Sequence, residues 1–449
     1  MEDGIYKNPG RQRYLANYLA IAVTMIGSFC AYRFCFHFYG EEALALYAVS
    51  RRMLSYGIAF VASGLGVSLC YHVADDRASE QTRGRAWLIA SFVPLSICVL
   101  LLVFLAWSIP DTIGAWLFGD AKWAFLVPPL TLLMVTIGVQ ILLAYYCTGR
   151  MEIVRSSLLT AVVSGVIPIV SFFLFPGSLS SFLWGTATLG LACCAVFYGA
   201  FIHPNLGKQP VTLKQAYKCT RDVVTYAAGR VPGGFLVVVI LNLPVSFATH
   251  SSQDLTAAAA VSIGVALVEL VATGVTPLSN IYLPQAAYLA ARGRAHELWR
   301  SSLRVFCLVT AFSVSYVLGL AAFIDQFLAL FLGSWQLGYA PYVVKILPAA
   351  PFYALFRCFR GLLDGVSRIP LTTLNTLLSL AFFGLVFVLS GGNSAVDKAA
   401  LGLVMGMGCL GVLTTVQIYW YLRTPSESRA IEDQGTLRAE DTGAESVQS

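Results

Sequence analysis

The sequence predicts an all-α integral membrane protein with twelve transmembrane helices in two six-helix lobes related by an axis along the membrane normal. Three observations carry that prediction. Of 449 residues, 57% are hydrophobic and only 12% charged, about half the charged share of an ordinary soluble domain. Apolar runs long enough to cross hydrocarbon recur throughout, Lys and Arg gather in alternate loops, and the second half of the chain repeats the first.

Hydropathy windows of about 19 residues place six spans in the first half, at 14–38, 44–73, 87–109, 123–148, 157–175 and 181–202. Six more follow at 224–249, 255–283, 303–324, 341–360, 371–390 and 399–421. The domain reading is an N-terminal lobe over 1–202, a cytoplasmic hinge over 203–223, a C-terminal lobe over 224–423 and a disordered cytoplasmic tail over 424–449. That tail is rich in Ser, Glu, Asp and Gly and has too few apolar residues to fold. In the hinge, HPNLGKQPVTLKQAYKCTR, residues Lys214, Lys218 and Arg221 share one helical face, while Leu213, Tyr217 and Val224 recur opposite. An amphipathic helix in the headgroup region and a solvated loop both satisfy that pattern. The polar N-terminal stretch leads into a full-length span without a small-residue cleavage site, so no removable signal peptide is expected.

Loop charge sets the orientation. With an even number of spans both termini share a side, and most of the 29 basic residues fall in loops on that side, whereas the opposite loops hold Lys122 and Lys398. The excess of Lys and Arg marks the terminal side as cytoplasmic. It also explains the net charge of +6 without nucleic acid as a partner. Most of the eleven cysteines lie in apolar segments without metal-ligand spacing, so they read as small buried hydrophobes.

The internal repeat fixes the relation of the halves. AWLFGD corresponds to ALFLGS, and RASEQTRGRAW to LAARGRAHELW. Pairing Gly84 with Gly293, Gly119 with Gly333 and Gly149 with Gly361 gives offsets all near 210 residues. Units with an even number of helices point the same way, and a cavity is expected between them.

Five basic residues are left over once those counted with the loops, Arg304, Arg357 and Arg360 at helix ends among them, are set aside, and all five lie inside predicted spans: Arg33, Arg51, Arg52, Arg230 and Lys345. A charge at the centre of a membrane helix costs about 2.5–3.5 kcal/mol on insertion scales, so such residues face water or a partner, or snorkel to an interface. Glu269 is the one acid near the centre of a predicted span, and it reads either as a partner for these cations or as an ion-coupling site. The surplus of positive charge would suit a diffusing anion. His37 and His72 read as interfacial or hydrogen-bonded residues in preference to proton relays. Pro128-Pro129, Pro232-Gly233-Gly234 and Pro348 with Pro351 would kink helices 4, 7 and 10, or be accommodated by packing. No motif for covalent chemistry, metal or cofactor binding occurs, so the protein reads as a non-enzyme, and Asp364, in GLLDGVSRIP, reads as part of a turn.

Four stretches together resemble a known family: FYGEEALALYAVSRRMLSYGIAFVASGLGVSLCYHVA, GRVPGGF, TPLSNIYLPQAAYLAARGR and FRGLLDGVSRIPLTTLN. In order and spacing the chain is similar to the Wzx-type O-antigen/polysaccharide flippases of the multidrug/oligosaccharidyl-lipid/polysaccharide exporter superfamily, although Leu46 stands where that family usually has its second glycine. The resemblance implies translocation of a polyprenyl-pyrophosphate-linked oligosaccharide from the cytoplasmic to the periplasmic leaflet by alternating access. It implies a bacterial inner membrane and a cationic cavity, for which Arg33, Arg51, Arg52, Arg230 and Lys345 are the candidates here, with membrane lipids, polysaccharide polymerase and export proteins as expected partners. The rivals are an ion-coupled drug or metabolite exporter of the same superfamily and a membrane-embedded glycosyltransferase. Short outer loops leave the latter no room for a catalytic domain.

Overall fold

The computed structural model of the protein describes residues 10–79, 83–118, 120–206, 210–251, 255–332, 340–367, 369–390 and 394–423. Gly119, Gly333 and the tail over 424–449 lie outside the described residues. Among these residues there is no strand. Eleven helices are long and apolar enough to cross a membrane, and a bent pair makes a twelfth span, so the predicted all-α class and span number hold.

The first two spans, α1 and α2, form one helical run, Arg11–Phe60, broken at Gly40, where φ is 87°. Only glycine adopts that backbone without strain, and it lets the chain reverse between spans with almost no loop. α2 continues through a π-helical turn, Val61–Gly66, to Val67–Ala78. Next come α3, Gly84–Ser108; α4, Ala121–Gly149; α5, Ile153–Leu174; and α6, Leu179–Asn205. The second lobe holds α7, Leu213–Ser251; α8, Leu255–Ala291; and α9, Trp299–Ala322. It closes with α10, Ala340–Ile346 and Ala349–Val366; α11, Leu371–Leu389; and α12, Ala395–Arg423. The repeat is visible in detail, since a short helix, Pro110–Phe118, precedes α4 and another, Ile324–Leu332, precedes α10.

Several expectations are corrected. Pro128 and Pro129 do not kink α4. They open its α-helical part after a 3₁₀ turn over Ala121–Leu126, where the missing N–H of proline costs nothing. Pro348 does break α10, whose two parts meet at 43°. The second half of the hinge belongs to α7 itself, which runs unbroken from Leu213, with the apolar side chains of Leu213 and Tyr217 exposed. α10 continues six residues past its predicted end, to Val366, so that Asp364 is a helix residue and not part of a turn.

Each lobe centres on an apolar cluster, and each cluster takes in residues of the other half: Cys219, Val223 and Ala227 join the N-terminal one, and Ala78, Met151 and Ile153 the C-terminal one. Leu69, Trp87, Leu142 and Phe197 lie in one N-terminal cluster, and Val268, Tyr353, Phe356 and Leu410 in the large C-terminal cluster. α1 crosses α5 at the closest possible range: a Cβ placed on Gly27 would collide with the carbonyl oxygen of Gly165. Small residues at such a crossing let two backbones touch, which is the main source of helix attraction where lipid removes the hydrophobic drive.

Candidate functional site between the lobes

The lobes meet on the side of the membrane that carries both termini. Val67, Cys70, Tyr71 and Ala74 of α2 pack with Tyr226 of α7 and with Leu283 and Ala287 of α8 in one buried apolar cluster. The rings of Tyr71 and Tyr226 stack at 4.7 Å. Polar contacts stitch the same level. The Ser68 hydroxyl donates to the Val223 carbonyl (3.1 Å), Asn17 Nδ2 of α1 donates to the Pro277 carbonyl (3.2 Å), and Arg292 Nε donates to the Ala78 carbonyl (3.2 Å). These contacts together seal the lobes on one face.

Behind the seal stands a buried ion pair. Arg230, on α7 and 1% exposed, places Nε 3.2 Å from Asp364 Oδ1 on α10, and its Nη2 donates to the Ser367 carbonyl (2.6 Å). Thr372 Oγ1 donates to the same carboxylate oxygen (2.8 Å), and the Arg230 guanidinium lies 3.5 Å from the Tyr226 ring centroid. The Tyr226 hydroxyl donates to the Asp364 backbone carbonyl (2.6 Å). Tyr226 therefore belongs both to the lobe seal and to this network. Such a pair is tolerated in a low dielectric because every charge has a partner.

The predicted cavity cations do not assemble into one site. Arg230 is buried inside the C-terminal lobe and faces Asp364 in an ion pair. Lys345 sits at the outer end of α10, half exposed, with Nζ 2.6 Å from Asp397 Oδ1 of α12. Exposed pairs contribute about 0.2–1 kcal/mol, so Lys345→Ala is expected to shift thermal unfolding in detergent by no more than a degree or two, about the resolution of scanning fluorimetry. Arg51 Nη2 donates to Ser28 Oγ (3.2 Å), joining α2 to α1 within the N-terminal lobe. Arg33 is exposed, on the side of α1 turned away from the buried Ala31 and Cys35. Arg52 lies on α2, but its side chain is outside the described residues. Glu269 is exposed on α8. Among the described residues no group of His, Cys, Asp or Glu is arranged to hold a metal.

Two further cations, counted with the terminal-side loop charges although they fall in the last turns of the predicted span 341–360, lie beside this pair. Arg357 and Arg360 follow each other by one turn on α10, both partly buried. Arg357 Nη2 donates to Thr276 Oγ1 of α8 (3.2 Å). Arg360 Nε lies 3.5 Å from Asp364 Oδ2, too far for a hydrogen bond. The signal that could have found them was the strict apolar spacing of Phe356, Phe359, Leu362 and Leu363, which continues the helix past both arginines.

No protein-family model matches the chain, and no curated protein sequence matches it significantly. Solved structures do. A eukaryotic MATE transporter, AtDTX14, superposes with a TM-score of 0.76 at 13% identity, over 94% of this chain and 97% of that one. VcmN, a MATE transporter of Vibrio cholerae in its bent form, gives 0.74 at 12% identity, over 92% and 97%. A multidrug resistance MATE family transporter of the MOP superfamily in an outward-facing conformation gives 0.71 at 14% identity, over 91% and 95%. The chain has the fold of these MATE transporters from end to end.

Proposed function

We propose that a chain with this fold is an ion-coupled alternating-access exporter of the MOP superfamily that moves a drug- or metabolite-sized organic solute out of the cytoplasm. One observation carries the reading: two repeated lobes meet on the terminal face, where Ser68 and Tyr71 of α2 pair with Val223 and Tyr226 of α7. Such a seal can open only if the lobes rock, and rocking exposes the space between them to alternate sides. The likeness to a transporter described as conferring multidrug resistance supports a small organic solute, and is an analogy of fold. On this reading the terminal face is cytoplasmic, as the Lys and Arg of its loops require.

The test joins the lobes covalently. In a cysteine-free background, Ser68→Cys with Val223→Cys is treated with a short bifunctional thiol reagent in everted vesicles loaded by ethidium or carboxyfluorescein. Transport is expected to fall to the level of vesicles lacking the protein and to return on reduction. Undiminished transport by the cross-linked protein would refute alternating access through this seal.

A second reading, translocation of a lipid-linked oligosaccharide, keeps one specific support. A surplus of positive charge remains in the C-terminal lobe after Arg230 and Lys345 are paired, because Arg357 donates to the uncharged Thr276 and Arg360 shares Asp364 with Arg230. Loss of surface glycan on deletion, with drug susceptibility unchanged, would favour this reading over the first.

A further inference from the structure

We propose that a membrane-facing groove between α3 and α6 of the N-terminal lobe binds an anionic phospholipid of the leaflet on the terminal side, with an acyl chain along the groove and the phosphate at Arg85. The groove encloses about 630 Å³, within the range of about 300–1,000 Å³ usual for small-molecule sites. α3 and α6 form its walls, and Val139 and Leu143 of α4 its floor. Space is left there because Ser96 on one wall and Cys194 and Ala195 on the other are small.

Surface and length choose a lipid chain as the occupant. Ile89, Val93, Ile97 and Leu100 line the groove and are exposed, and within a membrane span such exposure is to acyl chains and not to water. From Leu88 to Leu100 α3 rises about 18 Å at 1.5 Å per residue, against about 15 Å for half of the hydrocarbon thickness. A groove one leaflet deep, beginning at the terminal face, suits a lipid of that leaflet and gives a solute no path across.

Charge chooses the headgroup. Apolar side chains offer an acyl chain little that neighbouring lipid does not, so selectivity has to come from the mouth of the groove. Arg85 is exposed and stands one turn toward the terminal face from Leu88 and Ile89, on the helical face that carries Phe92 and Ser96. Helical side chains lean toward the helix N-terminus, which takes this guanidinium to the headgroup level. On the other wall Tyr198 meets His203 edge-on at 6.1 Å, and from the floor Arg150 ties α4 to the end of α6 by donating to the Asn205 carbonyl (3.3 Å). Glu152 stands at this level too, but Arg150 and Arg155 both hold it, at 3.0 and 2.6 Å. The mouth therefore keeps a net positive charge for an anionic headgroup to meet.

The experiment uses the purified full-length protein in nanodiscs that contain a trace of photoactivatable lipid, either phosphatidylglycerol or phosphatidylcholine, each with the same diazirine-bearing chain. Labelled peptides are mapped by mass spectrometry. Label is expected to concentrate on 88–100 and 191–198, about fivefold more from phosphatidylglycerol, the ratio that one arginine at a headgroup supplies. Arg85→Gln should bring the two lipids to parity. Ser96→Trp, which fills the groove, should abolish label on both stretches, whereas Val388→Trp, at an exposed position of α11, should leave it unchanged. Arg85 is exposed, so its variant keeps the test available if Ser96→Trp folds poorly. Label spread evenly over the lipid-facing helices overturns the site, and so does equal labelling by the two lipids in the wild type or an Arg85→Gln protein that keeps the wild-type ratio. Displacement of both lipids alike by ethidium would assign the groove to a transported solute and overturn the lipid site.

Discussion

Replacing Asp364 by Leu is expected to destabilise the folded protein by about 3–5 kcal/mol, the cost of leaving buried charge without its partner. Asp364 is 2% exposed and is the sole acid that Arg230 meets in an ion pair described here. Its loss strands Arg230 and leaves Arg360 beside it with like charge. Arg230→Met should cost less, because Arg360 Nε already stands 3.5 Å from the remaining carboxylate and can move toward it. The two changes together should cost less than their sum, since neither then leaves the other's partner exposed to an apolar interior. Thermal unfolding of the three variants in one detergent measures the order. Equal losses for Asp364→Leu and Arg230→Met, adding without interaction, would mean the pair contributes nothing as a unit. The seal should loosen with the pair, because Tyr226 takes its hydroxyl contact from the Asp364 backbone and its ring contact from Arg230.

Gly27→Leu is expected to produce the other large effect. A single Cβ at Gly27 already overlaps the Gly165 backbone, and a Cβ at Gly165 would lie 2.9 Å from the Val23 carbonyl oxygen. Backbone cannot swing aside as a side chain does, so α1 and α5 must separate along their crossing. Overpacking costs about 1–3 kcal/mol where side chains can adjust, and a leucine against backbone falls at or above the top of that range. The N-terminal lobe depends on this crossing to seat α1, with Phe34 and Phe38 against Phe172 of α5. Loss of monodisperse protein on size exclusion, with Gly274→Leu as an unhindered control, measures it. A Gly27→Leu protein that stays as monodisperse and heat-stable as that control would show that the helices are not in contact.

Much of the fold was legible in residue order. A hydropathic chain in lipid has few solutions, because each backbone group must be bonded within its own helix, so counting apolar runs counts helices. The repeat could be read from paired loops such as RASEQTRGRAW and LAARGRAHELW, since loops keep a signature that uniformly apolar helices lose. Helix ends were less legible. Windows stopped α10 at Arg360 and began α7 at Val224, because hydropathy treats each charge as facing water. α10 runs on to Val366 because Arg357 and Arg360 find Thr276 and Asp364 within the protein, and α7 starts at Leu213 because its first turns lie outside the apolar layer.

Composition and pattern by themselves determined that this chain spans a membrane twelve times in two like halves, and that it carries more positive than negative charge. Which of those charges form a site was decided by the tertiary structure alone. Arg230 and Asp364 stand 134 residues apart and meet only when α7 packs beside α10. Charge neutralisation falls off over a few ångströms in space and is blind to separation along the chain. Arg230, which seemed an unbalanced cation, is therefore a structural partner, while Arg357 and Arg360, counted with the loop charges, lie beside that pair.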